Sequence, residues 1–518
     1  MGLLMESLNT NHPKHFLVIP LVITLFIGLV WMITIRKCNL TSPTTGNKNM
    51  LSRTYSSPPV VPGLPLIGNL LQLKDTITHE LFANWAETYG PIYSIKAGAS
   101  TIVVLNSSDV IKEALVTKFS AMKRKNTYAM KILLADIMAT SDSNEYHKMA
   151  RRNVVTPMLG AGAQRQHPHR DNMIDNVVCR LHSHAKENSL DQPVTLRRIL
   201  QTEILGLSLK QALGMDVGSS KYIEGLGETL SRDEIYKVLV LDPLSGAAEV
   251  DWRDFFPYMR WVPNKSFEIR IGQTETRRLQ VMQTLIEEQQ KRISSGEGLN
   301  CYLDRLMSER ETLTKTQLAR LVWETIVGIE TTIGTAEWAM YELAENPKCQ
   351  DKLYREIQKV CGNNKYTEEQ YSGTTYLSAV FHETLRKYPP FPVLPLRYIY
   401  EDTQLGGYDI AAGTEIAINI YGCNMDKKQW DSPEEWKPER FLDSKYDPKD
   451  LYKTMSFGGG KRVCVGTSQG LSVTCTAIAS CIQEFQWSLE QRREEEDINT
   501  STLTIQKLKP LLATPRDY

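Results

Sequence analysis

A mostly α-helical chain with small β-sheets, forming one large domain behind an N-terminal transmembrane helix, is the architecture expected of these 518 residues. Three features lead there. An uncharged run of twenty residues near the N-terminus is long enough to cross a bilayer. Beyond residue 79 the apolar pattern is mainly of helical period, broken by short β-like runs. No internal repeat and no second linker follows Asn69, so one large mixed domain fits better than the roughly three or four that length alone suggests.

Composition removes several function classes. Sixty Lys+Arg balance sixty Asp+Glu, and a formal charge of zero argues against a global affinity for nucleic acid. Hydrophobic content of 42% and charged content of 23% exclude a disordered or collagen-like chain. A mean hydropathy of −0.31 excludes many membrane spans. Nine cysteines, an odd number with no C-x-x-C pair, do not make a disulfide framework. They suit a reducing compartment and leave room for a single ligating thiol.

Residues 1–15 read as a tail and 16–35 as the membrane anchor. At about 1.5 Å per residue the anchor spans roughly 30 Å. Arg36 and Lys37 follow at once, which favours a cytosolic body. A cleaved signal peptide would have a shorter apolar core ending at a small-residue site, which this run lacks; a buried core helix is the third reading. Residues 36–57 form a polar linker, and the domain occupies 58–518. It opens on Pro58, Pro59, Pro62 and Pro65, a stiff non-helical connector that either orients the body on the membrane or simply links. Ile92–Lys96 and Thr101–Leu105 around Gly98 read as a hairpin, and Tyr408–Ile420 around Ala412-Gly413 as another. Leu321–Leu343 reads as a long helix stopped near Asn346-Pro347, and Arg492–Asp497 as a solvated turn.

The most informative stretch is Phe457-Gly-Gly-Gly-Lys-Arg-Val-Cys-Val-Gly466. Three glycines permit a tight turn and close approach of backbone to a flat ligand. Cys464 stands just before a small-residue helical stretch, where a thiolate is stabilised as the anion that a metal requires. Arg462 offers a cation to a carboxylate-bearing cofactor. A phosphate-cradling loop would need a Gly-Lys-Ser/Thr spacing that does not follow. A single buried structural cysteine is the plain alternative.

This decapeptide resembles the haem-binding signature of the cytochromes P450, Phe-x-x-Gly-x-Arg-x-Cys-x-Gly, at all five specified positions. The resemblance implies the P450 fold, haem b with Cys464 as axial ligand of the iron, and Phe457, Gly460, Arg462 and Gly466 around the cofactor. Glu383-Thr-Leu-Arg386 is similar to the family's Glu-x-x-Arg pair, two charges on one helix face. Pro438–Phe441 resembles the segment whose arginine, here Arg440, completes that network; the implied role is structural. Gly328–Thr332 resembles the oxygen-activation groove, in which Gly328 weakens the helix by up to about 1 kcal/mol. Glu330 and Thr331 are then the catalytic acid and hydroxyl of a proton relay. Val327 departs from the family's preference for Ala or Gly. His147 and Arg151 match a propionate-holding Trp-x-x-x-Arg with the tryptophan replaced by a histidine that can still donate. Arg397 fits the second propionate-binding arginine, and Val393 and Leu394 would border the substrate.

Asp251–Tyr258, Glu337–Leu343 and Gly422–Asp426 resemble a plant subfamily, the ent-kaurene oxidases. That likeness implies a membrane-anchored monooxygenase in the gibberellin pathway. It would oxidise one methyl of a tetracyclic diterpene to a carboxylate in successive steps, using O2 and NADPH-derived electrons from a cytochrome P450 reductase. The hydrocarbon has no polar handle, so an apolar pocket must orient it by shape. A hydroxylase of a related labdane-derived diterpene and a non-catalytic haem- or terpene-binding protein are the alternatives. The expected membrane is the endoplasmic reticulum, with the plastid outer envelope as alternative. Between Lys118 and Arg170 ten Lys/Arg face three Asp/Glu, a basic segment suited to docking an acidic reductase.

Overall fold

The computed structural model describes residues 56–74, 76–158, 166–187, 192–297, 301–308, 313–362, 364–443, 452–489 and 511–515. The expected anchor at 16–35 and the expected turn at 492–497 lie outside them. Among the described residues no helix is long and apolar enough to cross a membrane.

The proline-rich connector is a wall of the domain. With amides missing and φ fixed, it cannot coil, and it runs along a sheet edge instead. The Val61 amide donates to the Ser94 carbonyl at 2.9 Å. At Gly68 φ is +62°, and a Cβ there would meet the Lys96 carbonyl oxygen at 2.2 Å, so only glycine fits. Asn69 is buried beside it: its Nδ2 donates to the Pro62 carbonyl and its Oδ1 accepts from the Lys96 amide.

The main sheet has five strands in the order β1-β2-β7-β4-β3. They are β1 (Ile92–Ala97), β2 (Ser100–Leu105), β3 (Met122–Arg124), β4 (Val393–Ile399) and β7 (Glu415–Asn419). The β1–β2 hairpin turns at Gly98 as expected. The second expected hairpin is corrected. Tyr408–Ile410 (β6) pairs with Thr403–Leu405 (β5), across Gly406 and Gly407, both at positive φ. Two successive left-handed glycines make the tighter hairpin turn. Glu415–Asn419 is buried at all five positions and pairs with β2 in parallel and β4 antiparallel. A short run with no exposed face is a central strand, and Ala412-Gly413 only leads into it.

Seven helices carry the site: α1 (Glu145–Met158), α2 (Leu196–Leu213), α3 (Lys265–Ser294), α4 (Lys315–Val327), α5 (Ile329–Glu345), α6 (Thr375–Lys387) and α7 (Thr467–Glu484). The single helix expected over 321–343 is two. A capping box between Thr314 and Gln317 starts α4, and the regular α-helix is interrupted at Gly328, which keeps right-handed helical angles, before α5 resumes. The Thr331 hydroxyl donates to the Gly328 carbonyl at 2.9 Å, holding the break open. Helix α5 is buried on nearly every face and packs on α2, α6 and α7. Asn346-Pro347 ends it as expected.

The Glu-x-x-Arg pair anchors the C-terminal third. Arg386 grips Glu383 with two bonds of 2.7 and 2.8 Å, and neither side chain is exposed. Arg440 and the Lys437 amide also donate to Glu383, while Arg386 satisfies the carbonyls of Asn424 and Glu435. The Ser456 hydroxyl donates to the Leu385 carbonyl, so this fixed core holds the start of the Cys464 loop.

Candidate active site

A cavity of about 420 Å³ lies between the α4–α5 break and the Cys464 loop. One wall is the loop itself, with Phe457–Gly459 and Arg462–Gly466, continued by Gly470 and Val473 of α7. The opposite wall is Gly328, Thr331, Thr332 and Thr335. Small residues on both sides leave the gap between them open. A Cβ on Gly328 would meet nothing within 4 Å, so the break itself adds open space.

The loop is shaped by backbone. The Cys464 amide donates to the Phe457 carbonyl at 2.9 Å, and Phe457 stacks on Phe381 of α6. Gly460 has φ +61°, and a Cβ there would meet the Leu115 carbonyl oxygen at 2.3 Å. Gly460 is not among the residues lining the cavity; its close approach to Leu115 shapes the loop from behind. Cys464 faces the cavity. Burial pushes its thiol up, while the Gly466 amide, the Thr467 hydroxyl and Arg151 pull the other way. A bound metal cation decides such a balance, because a coordinating thiol is deprotonated.

One end of the cavity is lined by cations. Arg151 on α1 donates to the Val463 carbonyl at 2.9 Å, tying that helix to the cysteine loop. Arg462 donates to the carbonyls of Met138, Ala139 and Ser141. Arg397 on β4 lies directly opposite Arg124 on β3. Like charges facing across strands are unfavourable, and burial compounds it: Arg397 is pushed down to about 10 by burial and Arg462. Arg124 falls well below its ordinary value through burial, Arg397 and Arg462. His147, buried beside them, is lowered to about 4 by burial and by Arg462, Arg151 and Arg124, and so is neutral. Arg124 Nε, Arg397 Nε and Arg462 Nη1 are buried without hydrogen-bond partners. Buried orphaned donors on mutually repelling cations fit a ligand that brings its own negative charge. A flat group with two carboxylates and a metal facing Cys464 meets this donor set.

Family comparison agrees with that geometry. The family model "Cytochrome P450" matches residues 58–513. The chain belongs to the cytochrome P450 family. It is a P450 monooxygenase, and its family implies haem iron. The chain is 53% identical to "Ent-kaurene oxidase" of Salvia miltiorrhiza over 466 residues, 89% of each chain. It is 51% identical to "Ent-kaurene oxidase 2" of Oryza sativa subsp. japonica over 88% of this chain and 90% of the relative. It is also 48% identical to the rice "Ent-sandaracopimaradiene 3-hydroxylase" over 88% and 90%.

Within this P450, Thr331, His147, Arg151, Arg397, Leu394, Phe457, Arg462, Cys464 and Gly466 come together on the cavity wall. Two further expected residues do not. Glu330 points behind α5, where its carboxylate takes Arg197 at 2.7 Å and the Tyr236 hydroxyl. Adjacent helical residues are about 100° apart, so Glu330 and Thr331 cannot share a face. Val393 packs with Phe82, Tyr93 and Ile95 on the other side of the sheet, because strand neighbours alternate. Two residues went unread. Arg124 sits in Lys123-Arg124-Lys125, which looks like a solvated charge run until β3 pairs with β4. Glu324 lines the cavity too, and its signal was its spacing, four residues before Gly328 and seven before Thr331 on one helix face.

Proposed function

We propose that this P450 oxidises ent-kaurene to ent-kaurenoic acid by successive oxidations of one methyl group, a step of gibberellin synthesis. The observation that carries the reading is identity above half to two ent-kaurene oxidases across nearly the whole domain. The wall supports it: Leu134, Ile137, Met138, Leu207, Leu244 and Leu394 offer a hydrocarbon shape without a polar handle.

Haem, when bound, supplies the activation of dioxygen with electrons from NADPH through a reductase. Cys464 holds its iron, and Arg124, Arg151, Arg397 and Arg462 hold its carboxylates, with His147 beside them. Phe457 and Gly466 border it. Thr331 holds a proton at its Oγ beside the helix break. Glu330, paired with Arg197, reaches the cavity only by leaving that guanidinium, and so serves as a reserve behind Thr331. Thr331→Ala should lower product formation about a hundredfold, the weight of one positioned proton donor. NADPH consumption should persist, with hydrogen peroxide replacing product; coupled product formation in this variant would remove Thr331 from the relay.

Of the basic residues between 118 and 170, Arg124 turns inward and Arg170 pairs with Glu368. Lys148 and Arg152 stay exposed on α1 and suit an acidic reductase. An anchor at 16–35 would place the domain on the cytosolic face of the endoplasmic reticulum or on the plastid outer envelope, where an apolar diterpene partitions. The test is to supply ent-kaurene to membranes containing this protein, a reductase and NADPH. Ent-kaurenoic acid is the expected product. A ring-hydroxylated diterpene with no acid would transfer the assignment to the hydroxylases of related diterpenes.

A further inference from the structure

Residues 134–141 form an irregular stretch whose side chains Leu134, Ile137 and Met138 build part of the apolar wall. A non-helical segment has no ladder of its own to hold it, so its backbone groups must find partners elsewhere. Ser141 N–H bonds back to the Ile137 carbonyl, and several of the other groups are held by a small set of side chains. The two oxygens of the Glu324 carboxylate each accept one amide, Met138 N–H at 2.8 Å and Ala139 N–H at 3.0 Å. From the other side Arg462 takes the carbonyls of Met138, Ala139 and Ser141. Arg320, one helical turn before Glu324, holds Asp136 at 2.8 Å, and Asp136 is itself in the left-handed region at φ +54°. Arg278 on α3 takes the Leu133 carbonyl.

Glu324 is an expensive choice for this place. A carboxylate on an apolar cavity is penalised by desolvation, which pushes it up to about 7 against the pull of the two amides and Arg462. A hydrophobic residue would suit the cavity better and would leave both amides without acceptors. The proton relay does not use it.

We infer that Glu324 is a positioning residue that sets substrate specificity: by pinning the Met138–Ala139 backbone to α4 it fixes the apolar wall that decides which carbon of a hydrocarbon faces the reacting centre. This deepens the proposed function and rests on it. A substrate without polar groups is oriented only by wall shape, and displacements near 1 Å are enough to lose a reactive geometry. Holding Ile137 and Met138 in place therefore holds regiochemistry.

Two variants test it in the full-length, haem-loaded protein. Glu324→Gln is the same size but presents an NH2 to one of the two amides, and Glu324→Ala removes both acceptors. Each should retain haem and its carbon monoxide spectrum. With ent-kaurene, Glu324→Ala should raise KM about tenfold with a smaller change in kcat, and spread oxidation over more than one carbon. Glu324→Gln should lie between it and the parent. A single product with unchanged KM in both variants would overturn the inference. So would loss of haem in Glu324→Gln, which would show a purely structural role. If the parent protein itself does not oxidise ent-kaurene, the proposed function fails instead, and the two failures are distinguishable.

Discussion

Cys464→Ser is expected to reduce monooxygenase turnover at least about a thousandfold, equivalent to roughly 4 kcal/mol of transition-state stabilisation. Cys464 lines the cavity from a position fixed by the bond of its amide to the Phe457 carbonyl and by the start of α7. Serine keeps the shape but is a poor electron donor, and donation from thiolate is what favours O–O cleavage in this family. Arg124, Arg151, Arg397 and Arg462 are all retained in this variant, so haem content should fall much less than turnover. Measuring both on one preparation separates the two. Equal losses would mean that Cys464 only retains the cofactor, and unchanged turnover would remove it from the chemistry altogether.

Arg386→Ala should be nearly as damaging by another route. It leaves Glu383, fully buried, with Arg440 and one backbone amide as its remaining donors, and leaves the carbonyls of Asn424 and Glu435 without Arg386. Breaking a buried pair from one side costs about 3–5 kcal/mol, a large part of the roughly 5–15 kcal/mol that holds a domain together. Thermal unfolding should shift down sharply, and haem-loaded protein should be scarce in expressing cells. Arg386→Lys should recover only part of this, since an ammonium cannot make the two-pronged contact. A variant as stable as the parent would show that the network carries no structural weight.

The parts legible in the sequence are those where chemistry and spacing are local. The decapeptide around Cys464 and the i, i+3 pair of Glu383 and Arg386 are each contained within one turn or loop, and both stand where their spacing implied. The β1–β2 hairpin was legible for the same reason. What escaped depends on pairings distant in sequence. Arg124 acquires its meaning only from Arg397, which β-pairing places opposite it. Glu415–Asn419 is claimed by β2 and β4, and no local turn residue announces that. Facing is equally hard to read locally: Thr331 and Leu394 line the cavity while their neighbours Glu330 and Val393 do not, because a helix turns and a strand alternates between neighbours. Glu324 escaped because a lone glutamate on an apolar helix reads as surface, and its partners are backbone amides on a distant loop.

Cys464, as a thiolate, is expected to hold haem iron in the cavity lined by Arg124, Arg151, Arg397 and Arg462. The absorption spectrum of the reduced protein under carbon monoxide reads that ligand. A strongly red-shifted Soret band, the signature of thiolate ligation, is the predicted result; a Soret band at the position typical of histidine-ligated haem would contradict it.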